Sequence, residues 1–473
     1  MMGFVRGEDR NQSTLFPLSL DELVPVEHVC RVIEALVGRL PLATLGFGKA
    51  RPKATGRPPY DPADLLKLYL YGYLHQVRSS RRLERECQRN VEVMWLLNRL
   101  APDHKTIAQF RRDNGGALKR AGAQFVRFCQ GVGLVRGDWV AIDGSKFQAV
   151  ASGKAVVRPE ELRQQQARLE QRMGEYLAAL DTADASDPEP AIDPASVRQA
   201  LAALQHEHAA VVAMADAMEA QGQTHAVITE PEARRMKGHG PGYNVQTAVD
   251  GAHALIVAHA VTSDASDNRQ LQPMAEAARE ALQADTLAVL ADAGYSNGEQ
   301  AAALEAQGIV PHVPANRSVN NQGDGALFDR SVFAYDASTD TMTCLAGERL
   351  TRKQIHRKDK MVHYQATPEA CGACPLKSQC TPGQRRIVTR HFHEDALQRM
   401  QARATAEAMR RRRCTVEHPF AGLKYRIFEH PRFLLRGLAG AGSEMAIATL
   451  VWNLKRAMRV LGAGQLHQKL AMA

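Results

Sequence analysis

Three acidic residues and four cysteines carry most of the chemistry available to this chain. Asp143 closes the apolar run Trp139-Val-Ala-Ile-Asp143 and is followed by Gly144. Asp292 closes a second run, Thr286-Leu-Ala-Val-Leu-Ala-Asp292, with Gly294 two residues on. A carboxylate at the end of a buried strand is costly unless it is paired or bound to a metal. Two such strand ends at one edge of a mixed sheet would set two carboxylates side by side. A divalent cation relieves the repulsion between them. Taken singly, each Asp reads more readily as a helix N-cap or a turn residue.

The third acidic residue is Glu417, in the segment Arg413 to Lys424. Arg413 stands four residues before it and Lys424 seven after it, so a helix would carry all three on one face. Such a face could hold a metal ion while its cations meet DNA phosphate. By itself the segment reads more readily as a solvated ion-pair stripe. Pro419 must then sit in the first turn of that helix or kink it.

Cys371-Gly-Ala-Cys374 is a CxxC pair, Cys380 follows it, and Cys344 lies upstream. Four thiols at this spacing can form a tetrahedral structural Zn²⁺ site. His356 and His363 compete with Cys344 for the fourth position. Free packing cysteines are the plain alternative, and a redox CxxC comes third. Lys377, Arg385, Arg386 and Arg390 around them suit a small DNA-contacting knuckle. Cys30, Cys87, Cys129 and Cys414 are scattered and read as packing residues.

The segments AIDGSKF (141–147), LADAGYSN (290–297) and RCTVEHPFAGLK (413–424), in that order, resemble the catalytic signatures of DDE transposases of bacterial insertion sequences. Arg413, Glu417 and Lys424 fit the family's R-x3-E-x6-K pattern. A tyrosine often stands three residues before that arginine; here the position holds Arg410. The resemblance runs from about Pro58 to Arg459, and Pro102–Arg112 is similar to the helical domain preceding the family's catalytic core.

The resemblance implies an RNase H-like core and a catalytic trio of Asp143, Asp292 and Glu417. It also implies two Mg²⁺ (or Mn²⁺) ions about 3.5–4 Å apart, as two-metal phosphoryl transfer requires. Double-stranded DNA, as element ends and target, is the implied partner, bound by at least a homodimer. Arg413, Lys424, Arg412, Arg111 and Arg112 are the candidate phosphate contacts. The competing readings are a non-catalytic DNA-binding regulator derived from a transposase, and a nuclease that cuts without joining. No phosphate loop of the G-x4-GK[ST] type appears, so no nucleotide cofactor is expected.

The elements that must position these residues follow from periodicity. Residues 1–135 read as a helical N-terminal DNA-binding or dimerisation region, with Asp64–Tyr73 and Val91–Leu97 apolar at helical spacing. Gly56, Pro58 and Pro59 mark a loop, and Pro62 a helix start. Residues 136–157 and 223–315 alternate strand and helix, the order of an α/β core with a mixed sheet. Asn244, on a strand of that core, is expected beside the site.

Between these two pieces, 158–222 reads as a helical hairpin. Val197, Leu201, Leu204, His208, Val211, Ala215 and Met218 form a heptad seam, and His208 is read as packed rather than a ligand. Residues 316–393 form a Cys-rich β insertion. Residues 394–473 form a C-terminal helical part of the core, carrying Glu417.

Of the 473 residues, 45% are hydrophobic and 23% charged, the balance of a globular protein with a sizeable core. The net charge of +9 favours a polyanionic partner. There is no run of 18 apolar residues and no signal peptide, so the expected place is the bacterial cytoplasm, at the nucleoid, away from membranes.

Overall fold

The computed structural model describes residues 19–51, 58–184, 194–220, 222–315, 327–358 and 360–472. Gly56, the polar start of the chain, most of the acidic loop 181–194 and the first part of the Cys-rich stretch lie outside the described residues.

Strand β1 (Trp139–Gln148) carries Asp143 and runs through the middle of a six-stranded sheet. The two-residue strands β2 (Val156–Val157) and β3 (Ala226–Val227) pair with each other. Strands β4 (Arg234–Met236), β5 (Gly240–Asp250), β6 (Ile256–Thr262), β7 (Leu287–Leu290) and β8 (Ile309–His312) complete the large sheet. On one side β1 pairs antiparallel with β5, whose far edge takes β4 and β6. On the other side β7 and β8 run parallel to β1, with helix Gly298–Ala306 as the crossover between them. Nearly every residue of β5 is buried, as a central strand between helical layers requires.

Between β2 and β3 run helices Pro159–Asp184 and Pro194–Ala220. They pack through Leu162 and Leu169 against Leu204, Val211 and Met218. His208 lies at the rim of this seam, its Nε2 3.0 Å from the Glu170 carboxylate. After β8 the chain builds a separate antiparallel sheet of β9 (Ala334–Asp336), β10 (Thr341–Thr343), β11 (Arg349–His356), β12 (Met361–Gln365) and β13 (Ile387–His391), paired in chain order. Its core is small: Phe333, Met342, Leu350, Tyr364, Ala366 and Val388.

The chain divides into two compact units: Gly133–Ala421 with Pro431–Ala441, and Met1–Val132 with Gly422–His430 and Gly442–Ala473. The stretch 394–473, expected to continue the catalytic core, is therefore shared. From Gly442 on, Met445, Ile447, Leu450, Val451 and Leu454 are buried and complete the core of the helical unit. In that unit Asp61 caps the helix Pro62–Leu74 by accepting from the Ala63 N–H at 2.8 Å, with Pro62 in the first turn. No helix among the described residues is long and apolar enough to cross a membrane.

Candidate active site

Asp143 does not end its strand, as the apolar run suggested; it lies in the middle of β1, which continues against β5 to Gln148. What ends there is the neighbour. The parallel pairing of β1 with β7 stops at Ala141 opposite Leu290. Carrying that register two residues further sets Asp292 beside Asp143, on an edge that β7 has left open. Asp292 also caps the short 3₁₀ turn Ala293–Tyr295, its Oδ1 accepting from the Gly294 N–H at 2.8 Å. The turn-capping role and the site role thus fall on different oxygens of one carboxylate.

A cation lies between the two. Arg412 Nη2 donates to Asp143 Oδ1 at 2.6 Å and to Asp292 Oδ2 at 3.1 Å. Its side chain is 11% exposed, and its Nε is buried without a hydrogen-bond partner. Burial pushes the Asp143 carboxyl above the usual carboxylate range; the Arg412 charge opposes this, and the Asp292 charge adds to it. Arg412, expected to meet DNA phosphate, is instead spent on the carboxylates. On helix Ala406–Ala421 it shares a turn-spaced face with the buried Thr415, Val416 and Pro419.

Glu417 follows Arg412 by five residues, about 140° around an α-helix, and it is exposed. Arg413, four residues before Glu417, is exposed as well. Among the described residues, the one trio of His, Cys or acidic side chains with ligand atoms within 4.8 Å of one another is His28, Cys30 and Glu92. The structure therefore gathers Asp143 and Asp292 around Arg412, and Glu417 does not complete with them a trio of ligand atoms within 4.8 Å of one another. Pro419 lies in the last turns of the helix rather than the first, and Lys424 lies in a π-helical segment, Gly422–Ile427, where the angular step changes.

The opposite face of β1 holds a polar network that sequence reasoning missed. Asp267 Oδ1 accepts from Asn244 Nδ2 and Gln246 Nε2, both at 2.7 Å, and Lys146 Nζ is 3.4 Å away. Tyr295 donates to Gln246 Oε1. Asn244 pairs with Lys146 and Gln246 with Gly144, so strand alternation puts them on the face away from Asp143. Asn244 is thus behind the site, not in it. Gly144 belongs to this network: a Cβ there would stand 2.6 Å from Asp267 Oδ1 and would overlap Gln246 Nε2. Asp267 sits in a turn-rich loop, and no spacing in the sequence announces it.

The other expected phosphate contacts divide. Arg112 is exposed beside Asp113. Arg111 is 4% exposed and donates to Tyr73 Oη and the Arg78 carbonyl, both at 3.2 Å, near the fully buried Glu444. It serves the interior of the helical unit and cannot meet phosphate. Cys30, Cys87 and Cys129 are buried, as expected of packing residues, but Cys414 is exposed.

The site's donors are all oxygens, the set that Mg²⁺ or Mn²⁺ takes. Two observations fit a cation there. The Arg412 guanidinium already stands between the carboxylates. Thr247, opposite Asp143 in the β1–β5 pairing, keeps a buried hydroxyl with no hydrogen-bond partner.

Comparison with known families gives two matches. Residues 18–113 match a transposase domain, and residues 211–454, just over half of the chain, match the transposase DDE domain. The second match contains Asp292, Arg413, Glu417 and Lys424; Asp143 lies upstream of it. No curated protein and no solved structure matches the chain. The mixed sheet is the kind of core that the DDE domain implies, and the chain belongs to the DDE transposase family.

Proposed function

We propose that this transposase binds the terminal inverted repeats of an insertion sequence, cleaves DNA at the element ends and joins the freed 3′-OH ends to target DNA. The observation that carries the reading is the pair Asp143 and Asp292, held at one sheet edge and sharing a cation. The catalytic carboxylates are Asp143, Asp292 and Glu417, which would hold two Mg²⁺ or Mn²⁺ ions. Such a metal pair supplies a more nucleophilic attacking oxygen and neutralises charge on the leaving 3′ oxygen.

The chain's own residues do the rest. The cap to Gly294 fixes the rotation of Asp292. Arg413, Lys424 and Arg112 grip phosphates, and Arg412 joins them once it has left the carboxylates. Glu417 reaches the pair by a register shift of its helix. The π-helical segment directly after that helix is the kind of irregularity that absorbs such a shift. Two chains act together on the two ends, in the bacterial cytoplasm.

The position of Arg412 also favours a second reading, a regulator that binds the repeats without cutting them. Incubating a labelled duplex carrying the terminal repeat with Mg²⁺ separates the two: nicking at the repeat boundary supports the enzyme, and binding alone supports the regulator.

A further inference from the structure

Four cysteines outside the catalytic reading converge in the small β9–β13 sheet. Cys344 opens the β10–β11 turn, where its N–H donates to the Glu348 carbonyl at 3.0 Å and its carbonyl accepts from Gly347 at 2.9 Å. Gly347 sits there at φ +80°, the left-handed conformation that lets the chain double back. Cys371 lies in the short helix Pro368–Gly372, Cys374 just after it, and Cys380 at the end of the helix Lys377–Cys380. Cys344 lies 27 residues before Cys371, the first of the other three, yet all four side chains line one cavity of about 30 Å³, with Arg386 at its wall. That volume is about what a single small occupant needs.

Arg386 and Lys377 place positive charge at the cavity. The Arg386 N–H donates to Cys371 Sγ at 3.4 Å, a bond that stabilises charge on sulfur. The Arg386 guanidinium is tied to the Cys380 and Phe328 carbonyls at 2.8 and 3.1 Å, which fixes a positive charge at the cavity. Lys377 lines it as well. None of the four is in a disulfide. The sheet around them has a small core of six buried residues, the kind of core that a bound metal reinforces.

We propose that Cys344, Cys371, Cys374 and Cys380 bind one structural Zn²⁺ as four thiolates and that this ion holds the β9–β13 module together. All four ligands are sulfur, the set that selects zinc over Mg²⁺, and four protein thiolates fill a tetrahedral structural site. On binding, the four thiol protons pass to solvent and the sulfurs draw in around the ion: among the described residues no three of them now lie within 4.8 Å of one another. The His356 and His363 rings contact each other at 4.3 Å between centroids and do not line the cavity, so Cys344 is the fourth ligand. The inference stands independently of strand cleavage.

The test is metal analysis of the full-length protein purified without chelators. About one zinc per chain is expected, falling below about 0.2 in Cys371→Ser and in Cys374→Ser and unchanged in Cys414→Ser. Wild type refolded with Co²⁺ should show the intense visible bands of tetrahedral cobalt thiolate, a readout that needs no variant to fold. Less than about 0.2 zinc in wild type, with no uptake on adding Zn²⁺, overturns the proposal. So does zinc that survives Cys371→Ser and leaves with Cys30→Ser, which would place it at His28, Cys30 and Glu92.

Discussion

One guanidinium nitrogen of Arg412 lies 2.6 Å from Asp143 and bridges to Asp292, so a cation of the chain itself screens the carboxylate pair. A divalent ion at this place must displace it. Arg412→Gln should therefore bind Mn²⁺ about tenfold more tightly, equivalent to about 1.4 kcal/mol. In EDTA the same variant should lose about 1–3 kcal/mol of stability, because two partly buried carboxylates lose their charged partner. Calorimetric Mn²⁺ titration and urea unfolding read the two effects. Weaker Mn²⁺ binding by the variant would mean that Arg412 helps to hold the ion rather than competing with it.

Glu417 stands apart from the pair it is proposed to join. Glu417→Gln should reduce strand cleavage by at least about a hundredfold, the scale of losing one electrostatic contact made in the transition state. Asp143 and Asp292 should still bind one divalent ion. Cleavage at the wild-type rate would remove Glu417 from the site and point to a two-carboxylate reaction or to a different third residue.

Arg111 and Arg112 are neighbours with opposite fates. Glu444 is fully buried with Arg78 Nη1 at 3.2 Å and Arg111 Nη1 at 4.0 Å. Glu444→Gln should cost about 3–5 kcal/mol in urea unfolding, since it leaves two arginines with an uncompensated buried charge. Arg112→Ala should leave stability unchanged. It should weaken DNA binding evenly across sequences and lower the salt slope by about one. If Arg112→Ala unfolds the protein or leaves the salt slope intact, the exposed arginine is not a phosphate contact.

Gly144 links the site strand to the network behind it. A methyl group there meets Asp267 and Gln246, and β1 would have to move to admit it. Gly144→Ala should cost about 1–3 kcal/mol by overpacking and should lower cleavage while repeat binding persists. A fully active variant would show that the strand has slack at the point where Asp143 is held.

The two Asp-terminated apolar runs were legible because a carboxylate after a buried run stands out against the strand pattern. The helical N-terminal region and the heptad seam were legible from periodicity in the same way. That Asp143 lies inside its strand was not, because the strand's continuation to Gln148 depends on a partner, β5, that arrives about 100 residues later. The choice between Arg412 and Arg413 was equally hidden. Four consecutive arginines step around a helix, and only packing of Thr415, Val416 and Pro419 decides which one turns inward. Pro419 implied either a helix start or a kink; it lies inside the helix, which passes into a π segment beyond it. Asp267 left no trace, since one more acid in a polar loop has no pattern to violate. The CxxC with its two distant cysteines was readable; that all four share a cavity was not.

The most direct test of the account is cleavage of a labelled duplex bearing the element's terminal repeat, with Mg²⁺ or EDTA, by wild type and Asp143→Asn. Wild type should nick at the repeat boundary only with Mg²⁺, and the variant should bind the repeat without nicking. Equal nicking by both proteins, or nicking by wild type in EDTA, would contradict it.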